Sequence, residues 1–463
     1  MEKMTGMTLE AVTEAVSGVY YGPDEGKQIT LSAITIDSRT VEKDCLFVAI
    51  KGARVDGNRF VPGAYADGAA CCMSTKPPGR EDVPYIQVES CEQALKDMAE
   101  YYRSILDVKV VGITGSVGKT TTKEMIAAVV AQKYDTLKTL GNFNNEIGLP
   151  LTVFRLRPHH QVAILEMGIS EFGEMGRLAK VAKPDYCVIT NIGQCHLENL
   201  GTRDGILKAK TEMLDYVKPG AVGYFNGDDD KLCNLKEDNR VQTIYYGFGE
   251  NIQNPSVTVK NVKNLGLAGS EVDIVTPKGN VHMVIPAPGK HMISNAMAAA
   301  AVGVGLGLEL DQIKKGIESY EPVGGHGHII RTDTLTIMDD CYNANPVSMK
   351  AGLDVLADME GRRVAILGDM FELGTEEKQM HYDVGVHAAG RGIEQIIAIG
   401  QLAQEYVKGA KAAGKEDVLY FETLDEGLAQ LERVIQKGDA VMVKASHAMH
   451  FEKVVEKLKE FIS

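Results

Sequence analysis

The stretch Val110-Val111-Gly112-Ile113-Thr114-Gly115-Ser116-Val117-Gly118-Lys119-Thr120-Thr121-Thr122 constrains this chain more than any other. A β-branched run halts at a glycine-rich turn, and Gly118-Lys119-Thr120 then opens a helical pattern that continues to about Gln132. Strand, tight turn and helix start in that order gather backbone N–H groups around one point, where the positive end of the helix dipole adds to them. Lys119 supplies a full charge, and the Thr120 hydroxyl can ligate Mg²⁺. The spacing misses the strict G-x-x-x-x-G-K-[ST] pattern once, because Ile113 occupies the first glycine position. Thr114, Gly115, Ser116, Gly118, Lys119, Thr120 and Thr121 are therefore predicted to cradle the phosphates of ATP, with a purely structural turn as the alternative.

A chain of 463 residues exceeds one ordinary domain and suggests about three. Its net charge of −14 argues against a nucleic-acid or anionic-membrane surface, although a pocket of opposite local charge can still take an anionic small ligand. The N-terminus lacks the apolar core of a signal peptide, and the longest apolar stretch, 296–308, is too short and glycine-broken to span a bilayer. The eight cysteines are scattered without C-x-x-C pairs, which fits reduced thiols of a cytoplasmic protein.

Short elements occupy residues 1–90, with strands expected at 29–36 and 45–50, and a helix at about 91–105 leads into the phosphate loop. From 91 to 320, β-branched or apolar runs at 162–165, 186–190 and 221–225 alternate with helical patterns, which implies βαβ units and a mainly parallel sheet. Residues 257–285 alternate with period two and read as an antiparallel insertion, followed by an Ala-rich helix opened by Gly289-Lys290-His291. From 321 to 463, a hairpin (328–330 with 335–338) precedes runs at 364–367, 396–399, 418–421 and 440–443, the pattern of a second doubly wound α/β domain. The fold expected is thus α/β in three domains: a small N-terminal module, a central P-loop parallel-sheet domain and a C-terminal Rossmann-like domain.

Glu166 and His196 both follow strands of the sheet that carries the phosphate loop. A hard cation on nucleotide phosphates takes one or two protein oxygens and keeps several waters, so Glu166 suits that role; an exposed loop acid is the alternative. His196 taken alone reads as well as a structural histidine. Asn144 and Asn145 belong to an amide cluster suited either to recognising polar groups or to an Asx-rich turn. Lys210 reads as a solvated helix face, and Ser38 and Arg39 as turn residues able to hold a phosphate or simply to face water.

The segments Thr114–Thr121, Gly141-Asn142-Phe143-Asn144-Asn145-Glu146-Ile147-Gly148-Leu149-Pro150, Glu166-Met167-Gly168 and Asn191-Ile192-Gly193-Gln194-Cys195-His196-Leu197-Glu198 together resemble the Mur ligase family of peptidoglycan synthesis. Asp340-Cys341-Tyr342-Asn343-Ala344-Asn345-Pro346 and Leu367-Gly368-Asp369-Met370-Phe371-Glu372-Leu373-Gly374 narrow the resemblance to the members that add D-alanyl-D-alanine to UDP-N-acetylmuramoyl-tripeptide. The resemblance runs in order from about Asp37 to Glu452.

It implies a UDP-binding domain (1–90), an ATPase domain (91–320) and a ligase domain that closes over the nucleotide (321–463). It further implies that Ser38, Arg39, Asn144, Asn145 and Asn343 meet the UDP-sugar peptide, that Lys119 holds ATP phosphates, and that Thr120 and Glu166 hold one Mg²⁺. His196 would serve a second Mg²⁺, joined by Lys210 once CO₂ has converted it to a carbamate; Asn295 would contact adenine, and Asp340 and Tyr342 would face the nucleotide. The partners implied are the UDP-muramoyl-tripeptide and D-alanyl-D-alanine, acted on by a monomer with no nucleic acid and no membrane insertion.

His326 and His447 stand where the family usually has arginine, and Asn58 where it has histidine. A guanidinium's bidentate phosphate contact is not replaced by an imidazole. Two other readings stay open: a related ligase with another acceptor amino acid or with folate, and a weakened paralogue that only binds the UDP-sugar. The N-terminal Asp37-Ser38-Arg39 disfavours folate, and the absence of an Asp-Asn-Pro-Arg motif disfavours a diaminopimelate acceptor.

Overall fold

The computed structural model describes residues 2–52, 55–77, 79 and 82–461. Five short strands, β1 (Val19–Tyr21), β2 (Ile34–Thr35), β3 (Leu46–Val48), β4 (Cys71–Ser74) and β5 (Tyr85–Gln87), form the first sheet in the order β1-β5-β4-β3-β2. All neighbours are parallel except β1 with β5. The strand expected over 29–36 is split. Leu31 exchanges backbone bonds with the N-terminal segment (Met4 N–H to Leu31 O at 2.8 Å, Leu31 N–H to Met7 O at 2.9 Å), and only Ile34–Thr35 enters the sheet. Met4, Met7, Leu9 and Leu31 are fully buried there, so the N-terminal segment's own apolar residues claim those bonds.

The central sheet comprises β6 (Lys109–Thr114), β7 (Thr136–Lys138), β8 (Val162–Glu166), β9 (Tyr186–Ile189), β10 (Val222–Asn226) and β11 (Gln242–Tyr246), all parallel in the order β11-β10-β9-β6-β8-β7. On one side of β6 the strands β9, β10 and β11 run outward in turn, while on the other the chain goes first to the edge strand β7 and returns to β8. The strand order thus changes side at β6, and doubly wound sheets open a crevice beyond the C-terminal strand ends at such a point. Both faces are covered. Val110 and Leu165 enter one core, while Val111, Ile113 and Ile164 enter another beneath the helices Lys119–Val130 and Lys290–Gly305. Small residues let these helices approach closely; a Cβ on Gly303 would sit 2.9 Å from a Val129 methyl.

The alternating segment forms a separate antiparallel sheet of β12 (Thr258–Asn264), β13 (Ser270–Thr276) and β14 (Gly279–Ile285). The third domain is a sheet of β15 (His328–Arg331), β16 (Thr336–Asp339), β17 (Arg363–Gly368), β18 (Gln395–Ile399), β19 (Val418–Phe421) and β20 (Ala440–Lys444), ordered β15-β16-β20-β17-β18-β19. Only β15 runs antiparallel to its neighbour, as the expected hairpin requires. The first two domains share one continuous core, from Met7 and Tyr102 to Leu165 and Ile189, whereas the third has its own on each face of its sheet. Among the described residues no helix is long and apolar enough to cross a membrane.

Candidate active site

The loop after β6 is shaped by its neighbours. Gly115 has φ +153°, and a Cβ there would lie 1.9 Å from Thr190 Oγ1. Gly118, at φ +79°, turns the chain into the helix Lys119–Val130. Asn191 clamps the turn, its Oδ1 accepting from Val117 N–H at 2.9 Å and its Nδ2 donating to Val117 O at 2.9 Å. Ser116 N–H donates to Asn191 O at 3.0 Å, and Ser116 Oγ accepts from Gly193 N–H at 2.9 Å. Lys119 arches back over the loop, donating from Nζ to Gly115 O at 2.9 Å.

Glu166 is the last residue of β8 and is 1% exposed, so it is not a surface loop acid. Its Oε1 accepts from Asn144 Nδ2 at 2.9 Å and from the Thr120 hydroxyl at 3.3 Å. Its Oε2 is buried without a hydrogen-bond partner, with Lys123 Nζ standing 3.6 Å away. A buried carboxylate oxygen left open beside a threonine hydroxyl, at a helix N-terminus, fits the oxygen donors a hard divalent cation needs. Asn145 does the other half of the amide cluster's work: its Oδ1 accepts from Gly148 N–H at 2.8 Å and starts the helix Gly148–Val153.

His196 caps the short helix Leu197–Leu200 in a left-handed conformation (φ +52°), and its Nδ1 is bonded to a carboxylate oxygen of Glu372 from the third domain. Lys210, on the helix Arg203–Thr211, is 1% exposed rather than solvated. Burial pushes its ammonium down to about 8, with Lys119 adding repulsion. Asn295, inside the helix Lys290–Gly305, turns onto the helix that follows the phosphate loop, where its Oδ1 accepts from Thr122 Oγ1 at 3.1 Å.

From the third domain, Lys444 at the end of β20 is buried and pairs with Asp340 at 2.7 Å, also donating to Asn343 O at 3.0 Å. Burial pushes the Asp340 carboxyl up, against the pull of Lys444. Tyr342 lies between two imidazoles, with ring centroids 4.4 Å from His326 and 5.4 Å from His447. Burial, with Lys444 next, holds His326 down to about 4, so it is uncharged at neutral pH.

One cavity of about 670 Å³ lies between the C-terminal strand ends of the central and third sheets. Ser116, Gly118, Lys119, Thr120, Thr121, Asn144, Asn145, Glu166, His196 and Asn295 line it from one side, and Asp340, Tyr342, Asn343 and His326 from the other. Thr114, Gly115 and Lys210 are not among the residues that line it, and Ser38 and Arg39 sit elsewhere, on the 3₁₀ turn Ser38–Thr40. Arg39 is tied to Asp37 at 2.6 Å, and that bond holds the Asp37 carboxyl down to about 2. Sequence reasoning missed Lys123 and Glu372. The repeat Lys119-Thr120-Thr121-Thr122-Lys123 places a second lysine one helical turn on, a signal that was available; nothing local marks Glu372 as reaching another domain.

Three family models cover most of the chain: Mur ligase family, catalytic domain (residues 30–103), Mur ligase middle domain (113–303), and Mur ligase, glutamate ligase domain (328–447). The UDP-N-acetylmuramoyl-tripeptide–D-alanyl-D-alanine ligase of Escherichia coli is 34% identical over 460 residues, covering 99% of each chain. A crystal structure of MurF from Acinetobacter baumannii superposes with a TM-score of 0.89 at 30% identity, covering 99% of this chain and 100% of the other. MurF ligase from Thermotoga maritima, solved in complex with ADP, gives a TM-score of 0.81 at 27% identity, over 92% and 97%.

Proposed function

This chain belongs to the Mur ligase family, and we propose that it joins D-alanyl-D-alanine to UDP-N-acetylmuramoyl-tripeptide with the cleavage of ATP, giving the UDP-muramoyl-pentapeptide of peptidoglycan synthesis. The observation that carries the reading is a single cavity with Lys119, Thr120 and Glu166 on one wall and Asp340 and Lys444 on the other, at the strand ends of two doubly wound sheets. The acceptor rests on likeness to ligases named for that reaction, along nearly the whole chain.

The chemistry divides in two. The ATP γ-phosphoryl passes to the terminal carboxylate of the tripeptide, giving an acyl phosphate; the dipeptide amine then attacks the acyl carbon, and inorganic phosphate leaves. The first half needs positioning and charge neutralisation more than covalent help. The phosphate loop supplies N–H donors, and Lys119, released from the Gly115 carbonyl, supplies a positive charge for the phosphates. Thr120 and Glu166 would hold one Mg²⁺ and His196, with Lys210, a second, and bound metal would neutralise charge on the transferred group. Lys210 is suited to carbamylation because burial leaves a larger share of its amine neutral, and only the neutral amine attacks CO₂. From the neutral amine that step forms an N–C bond and releases one proton, leaving an anion; counted from the ammonium, two protons are lost in all.

Asn144 holds Glu166 in place, Asn191 holds the loop, and Asn295 holds the helix that follows it. The third domain roofs the cavity with Tyr342 and brings Lys444 to it, excluding the water that would otherwise hydrolyse an acyl phosphate. Eight free cysteines, seven of them buried, support a cytoplasmic setting. The test is ATP-dependent phosphate release with UDP-muramoyl-tripeptide, offering D-alanyl-D-alanine and single amino acids in turn. Release only with the dipeptide supports this function; release with another acceptor assigns a sister specificity, and none at all reduces the chain to a binding protein.

A further inference from the structure

The His196–Glu372 contact joins two domains, and both of its members are non-glycine residues in the left-handed region, at φ +52° and +61°. L side chains adopt that conformation rarely, so two such residues meeting each other mark a geometry that the surrounding structure enforces. The enforcement is visible on the third-domain side. Asp369 accepts from Ala403 N–H at 2.7 Å, and Met370 N–H donates to Nε2 of the buried His381 at 2.9 Å. The other ring nitrogen of His381 donates to Glu377 O at 2.6 Å. Phe371 N–H donates to Ser446 Oγ at 2.9 Å. Three consecutive residues are thus fixed, and the fourth presents its carboxylate.

The receiving side is equally constrained. Leu197 packs against both the central core and the third-domain core, and Gly374, at φ +70°, lies against the backbone at Glu198, where a Cβ would make ordinary contact at 3.5 Å from its nitrogen.

We propose that Glu372 is a positioning residue for the cation site, supplied by the third domain only when that domain is docked. By accepting the Nδ1 proton of His196, the carboxylate fixes the imidazole tautomer and leaves Nε2 as the lone-pair nitrogen, on a ring that lines the cavity. Domain closure thereby completes a ligand of the central domain, and metal binding favours closure in return. The inference rests on the reading of His196 as a cation ligand. Lys444 and Asp340 close the cavity elsewhere; the His196–Glu372 pair is what couples closure to the ring.

The test uses the full chain with a non-hydrolysable ATP analogue and Mn²⁺ as probe, reading Mn²⁺ affinity by electron paramagnetic resonance and interdomain distance by a fluorophore pair. Glu372→Ala is expected to weaken Mn²⁺ binding about 10-fold and to shift the distance toward the open form. Glu372→Gln, whose amide oxygen still accepts the Nδ1 proton, is expected to recover part of both. In a His196→Ala background, Glu372→Ala is expected to cost nothing further. Wild-type Mn²⁺ affinity in both Glu372 variants, or losses that multiply in the double variant, would overturn the proposal. Mn²⁺ binding is read without turnover, so a failure to form product counts against the ligase reading alone.

Discussion

The Thr120 hydroxyl lies 3.3 Å from Oε1 of Glu166, joining a helix N-terminus to the end of a neighbouring strand 46 residues away. Oε2 of the same carboxylate is left open in the interior. If this pair holds Mg²⁺, Glu166→Gln keeps the shape and the Asn144 contact but removes the charge. Turnover is expected to fall by about 10²-fold or more, with a higher Mg²⁺ concentration needed for half-maximal rate. Thr120→Ser, which retains the hydroxyl, is expected to be milder than Thr120→Val. Steady-state rates across a Mg²⁺ series check both orders, and equal Mg²⁺ dependence in Glu166→Gln would remove the pair from the site.

Among the described residues Lys119 donates only to loop carbonyls, Gly115 O at 2.9 Å and Ser116 O at 3.5 Å. Lys119→Ala is therefore expected to leave thermal unfolding close to wild type while cutting turnover by roughly 10³-fold. Calorimetry and phosphate release on one preparation separate the two effects; near-normal turnover would contradict the phosphate role.

Burial of Lys210 has a thermodynamic sign. Its folded-state value of about 8 lies below the ordinary 10.5. Below pH 8 both folded and unfolded chains carry the proton, and the fold bears the full cost; between about 8 and 10.5 only the unfolded chain keeps it, and stability rises with pH. Lys210→Met is thus expected to be more stable at pH 7 by on the order of 2–4 kcal/mol, with the advantage shrinking by pH 10, and to be inactive. Urea unfolding at both pH values, in buffer free of metal and CO₂, reads this directly. An advantage that does not change with pH would refute the assignment.

Gly115 passes Thr190 with no room for a side chain. Gly115→Ala forces the loop away from β9 and is expected to abolish binding of an ATP analogue, whereas Gly141→Ala, which meets nothing within 4 Å, is expected to leave binding intact. Gly141 has φ +49°, so some loss of stability is expected there without loss of binding. Isothermal titration on both variants makes the comparison.

What the sequence made legible follows from how local each signal is. The β6–loop–helix unit and the four later strands of the third domain, β17 to β20, are written in contiguous apolar runs and punctuating glycines, so the parallel architecture could be read directly. The short edge strands β7 and β11, three and five residues long, lack such runs. The 29–36 run was misread because its hydrogen-bond partner, residues 4–9, is a segment with no strand signature. The same holds for the site. Lys119 and Thr120 announce themselves by spacing, and Glu166 by its place after a strand of the same sheet, but only burial tells Glu166 from an exposed loop acid and Lys210 from a solvated helix face. Glu372 reaches His196 only through the docking of two domains, and the pairing of His326 with His447 around Tyr342 joins residues more than a hundred positions apart.

The most direct test of the ligase account follows the oxygen. UDP-muramoyl-tripeptide labelled with ¹⁸O in its terminal carboxylate is incubated with ATP, Mg²⁺ and D-alanyl-D-alanine, and both products are weighed by mass spectrometry. An acyl phosphate requires that one labelled oxygen leave in inorganic phosphate while the UDP-muramoyl-pentapeptide forms. Unlabelled phosphate alongside the pentapeptide, or no pentapeptide from a preparation that binds ATP, would contradict it.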